Sequence, residues 1–145
     1  MINALRAIDS VLITPTAMTA AQTASATKDI SGADWVTIRI PFKTEINTSA
    51  VGPTVSVLTS DTTDATNYAT ITADRVEDLT AGHELRYEID GKTAKRYLKL
   101  SVSTATHTTN DLVTLAAIVS LTRNAADPAS TTAMQGSTND AVVIV

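Results

Sequence analysis

Few side chains in this sequence have the type and spacing that catalysis or metal binding requires. The two histidines, His83 and His107, each lack a second His or a carboxylate at the spacing of a metal site. Cysteine is absent, which excludes disulfides, thiolate ligands and a cysteine nucleophile. The serines lack the G-x-S-x-G pattern of a nucleophile elbow, and the five glycines form no phosphate-binding loop. The sequence therefore predicts a protein that is not an enzyme, with no catalytic residue, metal or cofactor.

One acidic segment has the oxygen ligands that suit a hard cation. Asp61 and Asp64 lie close together in the sequence, and proteins bind Ca²⁺ through carboxylate and carbonyl oxygens. The same segment, Ser-Asp-Thr-Thr-Asp at residues 60–64, is also typical of a turn whose side chains bond their own backbone. The sequence favours the turn and leaves a calcium ion as the alternative.

Charge and hydropathy argue against two classes of partner. The formal net charge is −4 and the basic residues are scattered, whereas binding to nucleic acid requires clustered Lys and Arg. No apolar run is long enough for a signal peptide or for crossing a bilayer. The sequence therefore predicts no nucleic-acid partner, no membrane partner and no Sec-type export.

Composition and periodicity predict β structure. Threonine occurs 26 times and aromatic residues make up 3% of the chain, and a β-branched polar residue suits a pleated, solvated surface better than a helix interior. Residues 35–42 carry the clearest pattern, an alternation that places one set of side chains on each face of a strand. The apolar set is Val36, Ile38, Ile40 and Phe42, and the opposite set is Trp35, Thr37, Arg39 and Pro41. Because Pro41 lacks an N–H group, its position favours an edge strand or a bend.

Further strands are predicted on both sides of this segment. Their ranges are residues 11–14, 55–59, 68–72, 85–89, 95–103, 112–122 and 141–145. Residues 85–89 and 95–103 are predicted to form a hairpin, because Asp90-Gly91 between them is a common hairpin turn in which glycine supplies a positive φ.

These strands predict an all-β fold, a two-sheet antiparallel sandwich. The count of about eight strands favours a jelly roll over an immunoglobulin-like sandwich. One domain is predicted to span residues 1–145, with a sandwich core at residues 29–123. Residues 1–28 are predicted to hold a strand and an extended Ala/Thr/Ser-rich arm, and residues 124–145 a long loop and a C-terminal strand.

The strand at residues 112–122 is predicted to contact another subunit. Its odd-numbered residues from Val113 to Leu121 are apolar, and the residues between them are small or apolar as well. Cover on both faces of a strand in a one-domain protein indicates burial against a second chain. The interface candidates are Trp35, Leu112, Thr114, Ala116, Ile118, Val142, Val143, Ile144 and Val145.

Three segments resemble a known family. They are the Ala/Thr/Ser-rich arm that continues into Asp29-Ile30-Ser31-Gly32, the segment at residues 55–64, which is similar to V-x-L-x-T-S-D, and the segment at residues 95–102, which is similar to R-Y-L-R-L. In these features the chain resembles the jelly-roll capsid cement, or decoration, proteins of tailed bacteriophages, over about residues 20 to 123. The resemblance carries no catalytic residues.

The resemblance implies a function, partners and a location. The chain is expected to be a non-enzymatic virion structural protein, made in the host cytoplasm and placed on the outer surface of the capsid. There it would stabilise an icosahedral phage head as a homotrimer that binds across subunits of the major capsid protein. Two alternatives stay open: another phage structural component (a tail, head-completion or fibre domain), or a ligand-binding β-sandwich such as a carbohydrate module or adhesin. The low aromatic content weighs against the second alternative.

Overall fold

The computed structural model describes residues 6–45, 53–71, 75–76, 83–105, 112–123 and 141–144, and this part of the chain is built from ten strands. The strands are β1 (Arg6–Met18), β2 (Thr23–Asp29), β3 (Trp35–Glu45), β4 (Thr54–Ser60), β5 (Ala69–Thr70), β6 (Arg75–Val76), β7 (His83–Asp90), β8 (Tyr97–Ser103), β9 (Leu112–Arg123) and β10 (Ala141–Ile144). A single 3-10 turn, Ala65–Asn67, lies between β4 and β5. Within these ranges, no helix has the length and hydrophobicity needed to span a bilayer.

The strands form two sheets that pack face to face. Sheet A has the order β1-β9-β3-β7-β10, and sheet B has the order β2-β8-β4-β5, with β6 paired to β4 outside that path. All pairs are antiparallel except β10 with β7, which is parallel. The predicted all-β, two-sheet antiparallel sandwich is therefore confirmed, and the parallel C-terminal strand is an addition that the sequence did not indicate.

The strand predicted to organise the fold lies at the centre of sheet A. β3 pairs with β9 on one side and with β7 on the other, and it runs three residues beyond the predicted range. Val36, Ile38 and Ile40 are fully buried on its inner face, as the alternation predicted. The position of Pro41 favours an edge strand or a bend, and of these two the edge strand is wrong. Pro41 is exposed on the outer face of a central strand, and the β3–β9 pairing is interrupted at Ile40 and Pro41, since proline has no N–H to donate.

The core between the sheets is made of alternate residues from both. Sheet B contributes Val55, Val57, Leu98, Leu100 and Val102, and sheet A contributes, besides β3, Leu85, Tyr87, Ile89, Val113, Leu115, Ala117 and Val119. Each set has a period of two along its strand, which is the pattern of a strand with one face in a core. Cutting one of the buried Leu or Ile side chains back to alanine would cost about 2–5 kcal/mol.

The predicted hairpin between residues 85–89 and 95–103 is wrong. β7 belongs to sheet A and β8 to sheet B, so the intervening residues carry the chain from one sheet to the other. The Asp90 carbonyl accepts hydrogen bonds from the backbone N–H groups of Thr93 at 3.2 Å and Ala94 at 3.0 Å. Gly91 does not have a positive φ, so the geometry differs from that of a two-residue hairpin turn.

The predicted extended arm at residues 16–28 is also wrong. This segment completes β1, turns at residues 19–22 and continues as β2, which pairs with β8 along its whole length. Met18 is buried, and Ala24 and Ala26 pack against the core. The small side chains of Ala24 and Ala26 therefore form the inner face of β2, an edge strand of sheet B. Their hydrophobicity is too low for the sequence to predict a strand there. The second predicted loop, residues 124–140, lies outside the described residues.

Candidate interaction surface

The interface candidates of β9 and β3 lie on one surface, the outer face of sheet A. Val113, Leu115, Ala117 and Val119 of β9 are buried on the inner face, so the residues between them face outward. Of these outward residues, Leu112, Ala116 and Ile118 are partly buried and Thr114 is exposed. In a single chain, the outer face of β9 is thus exposed to solvent over part of its length. Whether a second chain covers it stays a prediction.

Trp35 lies on the same face but at one end of it. Trp35 begins β3, is partly buried, and pairs with Thr122 of β9 and Asp90 of β7. Leu112, by contrast, pairs with Glu45 at the other end of β3. The two candidates therefore share a face and are separated by most of the strand length.

Val11 is an exposed apolar residue on this face that is not among the predicted interface residues. Ile8 and Val11 are the exposed large apolar side chains in the described part of the chain, with exposed fractions of 61% and 62%. Val11 pairs with Ile118, and Ile118 pairs with Arg39 on its other side, so these three residues form a row across β1, β9 and β3. We call Val11, Ala116 and Ile118 the apolar strip.

Register shifts in β1 explain why strict alternation does not predict that Val11 is exposed. The β1–β9 register shifts between Val11 and Ile13 and again between Ile13 and Thr16. Because of the first shift, an exposed Val11, a partly buried Leu12 and a buried Ile13 can follow one another in an apolar run. A β-bulge changes which face a residue occupies, and alternation alone does not reveal it.

Beside the apolar strip, the outer face of sheet A carries paired charges. Arg39 of β3 donates two hydrogen bonds of 2.8 Å to the carboxylate of Glu84 on β7. Glu88 is only 5% exposed; it accepts a hydrogen bond of 2.7 Å from Thr37 Oγ1 and forms an ion pair of 3.1 Å with Arg86 Nε. Bidentate and buried pairs hold their side chains in a fixed geometry. This part of the face is therefore ordered and polar.

The C-terminal candidates belong to the same sheet but do not adjoin β9. β10 lies beyond β7, with Val142 opposite Arg86, Val143 opposite Tyr87 and Ile144 opposite Glu88. Two strands, β3 and β7, separate β9 from β10, a distance of about 14 Å at 4.8 Å per step. Val145 lies outside the described residues. The predicted contact strands are thus near opposite edges of one sheet.

The outer face of sheet B has a different chemistry. Hydroxyl side chains lie on this face of three neighbouring strands, and all of them are exposed or partly exposed. They are Thr23, Ser25, Thr27, Thr54, Ser56, Ser101 and Ser103. Each stands opposite another hydroxyl except Thr27, which stands opposite Lys99. These neutral hydroxyls are well solvated by water. The same face also carries Leu58, Tyr97 and Lys99, which are partly buried, so its chemistry is mixed.

The acidic segment at residues 60–64 forms the predicted turn. Asp64 Oδ1 accepts hydrogen bonds from the Thr66 N–H at 3.0 Å and from the Thr66 hydroxyl at 2.9 Å, and these bonds lower the pKa of Asp64, the backbone bond most strongly. Asp61 instead forms an ion pair of 3.4 Å with Lys95, beside a surface cavity of about 300 Å³. The two carboxylates therefore have separate partners.

The histidines and the other acidic residues do not form a further metal-binding cluster in the described part of the chain. Among the described residues, no group of three or more His, Cys, Asp and Glu side chains is placed to hold a metal ion. His83 begins β7, and His107 lies outside the described residues.

One ion pair joins the end of β2, an edge strand of sheet B, to the start of its neighbour β8. Arg96 donates hydrogen bonds from Nε at 3.1 Å and from Nη2 at 2.9 Å to Asp29 Oδ2, at the point where β2 ends and β8 begins. These bonds, together with the Ser31 N–H, lower the pKa of Asp29 to about 2. The same contact raises the pKa of Arg96.

No family model matches the chain, and no curated protein sequence matches it significantly.

Proposed function

We propose that this chain is a capsid decoration protein of the tailed-bacteriophage type. In this role it is a non-enzymatic structural protein on the outer surface of the virion, where a homotrimer binds across subunits of the major capsid protein. The proposal includes a jelly-roll topology. That part is supported by the strand order, since β1-β9-β3-β7 face β2-β8-β4-β5 and the first four strands alternate between the sheets.

The observation that carries the proposal is the apolar strip on the outer face of sheet A. An exposed Val11 beside a partly exposed Ile118, next to fixed charged pairs, has the composition of a contact with an apolar centre and a polar rim. A flat sheet face suits a partner that is itself a broad surface, such as a capsid shell, better than a small ligand, which needs a concave site.

The rigidity of the described strands supports a clamping role. The sheets are joined by a continuous buried core, and the outer-face side chains Arg39, Glu84 and Glu88 are held by hydrogen bonds. A surface that is ordered before it binds loses little conformational entropy on binding. Closed three-fold symmetry would place identical copies of this surface around a capsid axis.

The test is binding to heads of the virus that encodes the chain, prepared without it. We expect wild-type protein to co-sediment with these heads at a copy number comparable with that of the major capsid protein. Val11→Lys should weaken binding at least tenfold, because a lysine at the contact must be desolvated without a partner. The matched control is Thr27→Lys, an exposed substitution on the outer face of sheet B, which should bind as wild type does.

Three results would count against the proposal in different ways. Absence of wild-type binding would overturn the capsid role. A copy number typical of a ring at one vertex would indicate a tail or head-completion component. Wild-type binding that Val11→Lys does not weaken would move the contact to another surface. Light scattering behind a sizing column gives the native mass, for which we expect a trimer.

A further inference from the structure

The edge of β7 depends on a strand from elsewhere in the chain. β7 pairs with β3 on one side and with β10 on the other. On its inner face Leu85, Tyr87 and Ile89 are buried in the core. Without β10, the N–H and C=O groups on that side of β7 would lie unpaired at a sheet edge beside these core residues, which is a template for pairing with another strand.

β10 in turn depends on β7. Its residues are Ala, Val, Val and Ile, and in the described part of the chain β7 is the only strand that it pairs with. An uncharged, β-branched segment of this kind readily pairs with any open edge and is prone to aggregate when it is unpaired. The edge and the strand therefore need each other, but nothing in the pairing requires that they belong to one chain.

The connection to β10 is much longer than the distance it has to cover. β9 ends beside Trp35 and Asp90, whereas β10 begins opposite Leu85. Three strand steps across the sheet and five residues along it give a separation of about 22 Å. The intervening residues 124–140 number 17, and an extended chain of that length spans about 55–60 Å. The same connection can therefore reach the β7 edge of a neighbouring copy.

We propose that β10 is an exchange strand: in assemblies of this chain, β10 of one copy pairs with β7 of the next. Every backbone contact between β10 and β7 is the same within a chain and between chains. The equilibrium between pairing within a chain and pairing between chains is then set by the effective concentration of the neighbouring copy. In a closed ring each copy gives one strand and receives one, which ties the ring together. The inference rests on the self-association part of the proposed function and is independent of the capsid.

Cysteine pairing tests the exchange directly, because the chain has no cysteine of its own. Val142 and Arg86 are register partners in the β10–β7 pair. The variants Val142→Cys and Arg86→Cys are prepared separately, refolded together and oxidised. Strand exchange predicts a disulfide-linked product with twice the mass of one chain, joining position 142 of one variant to position 86 of the other. Val142→Cys mixed with Thr27→Cys, an exposed position in sheet B, controls for random collision.

The double variant, with both cysteines in one chain, measures pairing within a chain. If it oxidises to an intrachain disulfide while the mixed single variants give no more linked product than the Thr27 control, the inference is overturned. A trimeric native mass together with that result would leave the proposed function standing without the exchange. A linked product in a protein that fails to bind heads would support the strand exchange and count against the capsid role.

A second measurement avoids any change at Arg86, whose ion pair with Glu88 contributes to the outer face. A photoreactive side chain is placed at position 142, and isotope-labelled and unlabelled proteins are refolded together. Exchange predicts that cross-links to peptides of β7 join labelled to unlabelled chains. Cross-links confined to chains of one isotope would overturn it.

Discussion

Gly91 lies at a position where the fold has no room for an added methyl group. A Cβ added there would lie 2.2 Å from the backbone oxygen of Ala33 and 2.9 Å from its carbonyl carbon. Gly91 also donates its backbone N–H to the Asp34 carbonyl at 2.9 Å. The obstacle is backbone, and Ala33 is buried, so no side-chain rotation relieves the clash. In Gly91→Ala the connection from β7 must therefore move away from the segment that leads into β3.

The size of the effect follows from these contacts. The two backbones must separate by about 1 Å, and overpacking of this kind typically costs about 1–3 kcal/mol. The separation also weakens the hydrogen bond between Gly91 and Asp34, which is worth about 1 kcal/mol. We therefore expect Gly91→Ala to lower the free energy of unfolding by about 2–4 kcal/mol. The unfolding entropy of a 145-residue chain is about 0.3 kcal/mol/K, so this change lowers Tm by about 7–13 °C.

Urea unfolding, measured by circular dichroism at one fixed protein concentration, gives the free energy. Two controls separate the clash from backbone strain. Gly32 has a φ of 76°, so Gly32→Ala tests left-handed strain and should cost about 1–2 kcal/mol. Gly91→Asn tests the hairpin interpretation, because asparagine tolerates a left-handed turn but carries the same Cβ. The reasoning is refuted if Gly91→Ala lies within about 0.5 kcal/mol of wild type or if asparagine restores stability.

Three further predictions concern the turn into β2, the Asp29 ion pair and the C-terminal strand. Thr104→Val should lower the free energy of unfolding in urea by about 1–3 kcal/mol, because the buried Thr104 hydroxyl forms hydrogen bonds with the backbone of the turn at residues 19–22. The control Thr27→Val, at an exposed site, should change it by less than about 0.5 kcal/mol. The Asp29 carboxylate should titrate near pH 2 by NMR and at a higher pH in Arg96→Gln, although the Ser31 N–H still keeps its pKa below the usual value there. Because the folded pKa is depressed, the pair's contribution to stability is present above pH 3.8 and is lost as the pH falls toward 2. An unshifted midpoint in the wild type would contradict the ion pair. Removing residues 141–145 should reduce the assembly to monomer or make it insoluble, and unchanged mass and solubility would remove the C-terminal strand from the interface.

Alternation predicted the strands well because each faces one core. β9 was predicted to within one residue and β3 except for its last three. The predicted inner face holds for Val36, Ile38 and Ile40 of β3 and for the odd-numbered residues 113–119 of β9. The outward position of Trp35 and Ile118 followed from the same pattern. This part of the fold is local, since it depends on which neighbours a side chain has along its own strand.

The partner of each strand is not a local property. Asp90-Gly91 indicates a turn, but a turn can return the chain to the same sheet or carry it to the facing one. Here the turn carries the chain to the facing sheet, and the close approach of Gly91 to Ala33 is part of that connection. The strand β2 was missed for a related reason: its small residues gain their burial from β8 and the turn held by Thr104, both distant in sequence.

The pairing of β1 with β9 has a consequence for how the chain is synthesised. The register joins Ile8 to Leu121 and Val11 to Ile118, near the two ends of the sandwich sequence. During translation β1 leaves the ribosome before β2 to β8 and its partner β9 leaves after them, so β1 waits with its apolar residues unpaired while β2 to β8 are made. Exposure of this kind favours association between nascent chains. Chaperone occupancy on translating ribosomes should therefore fall sharply only after β9 has emerged.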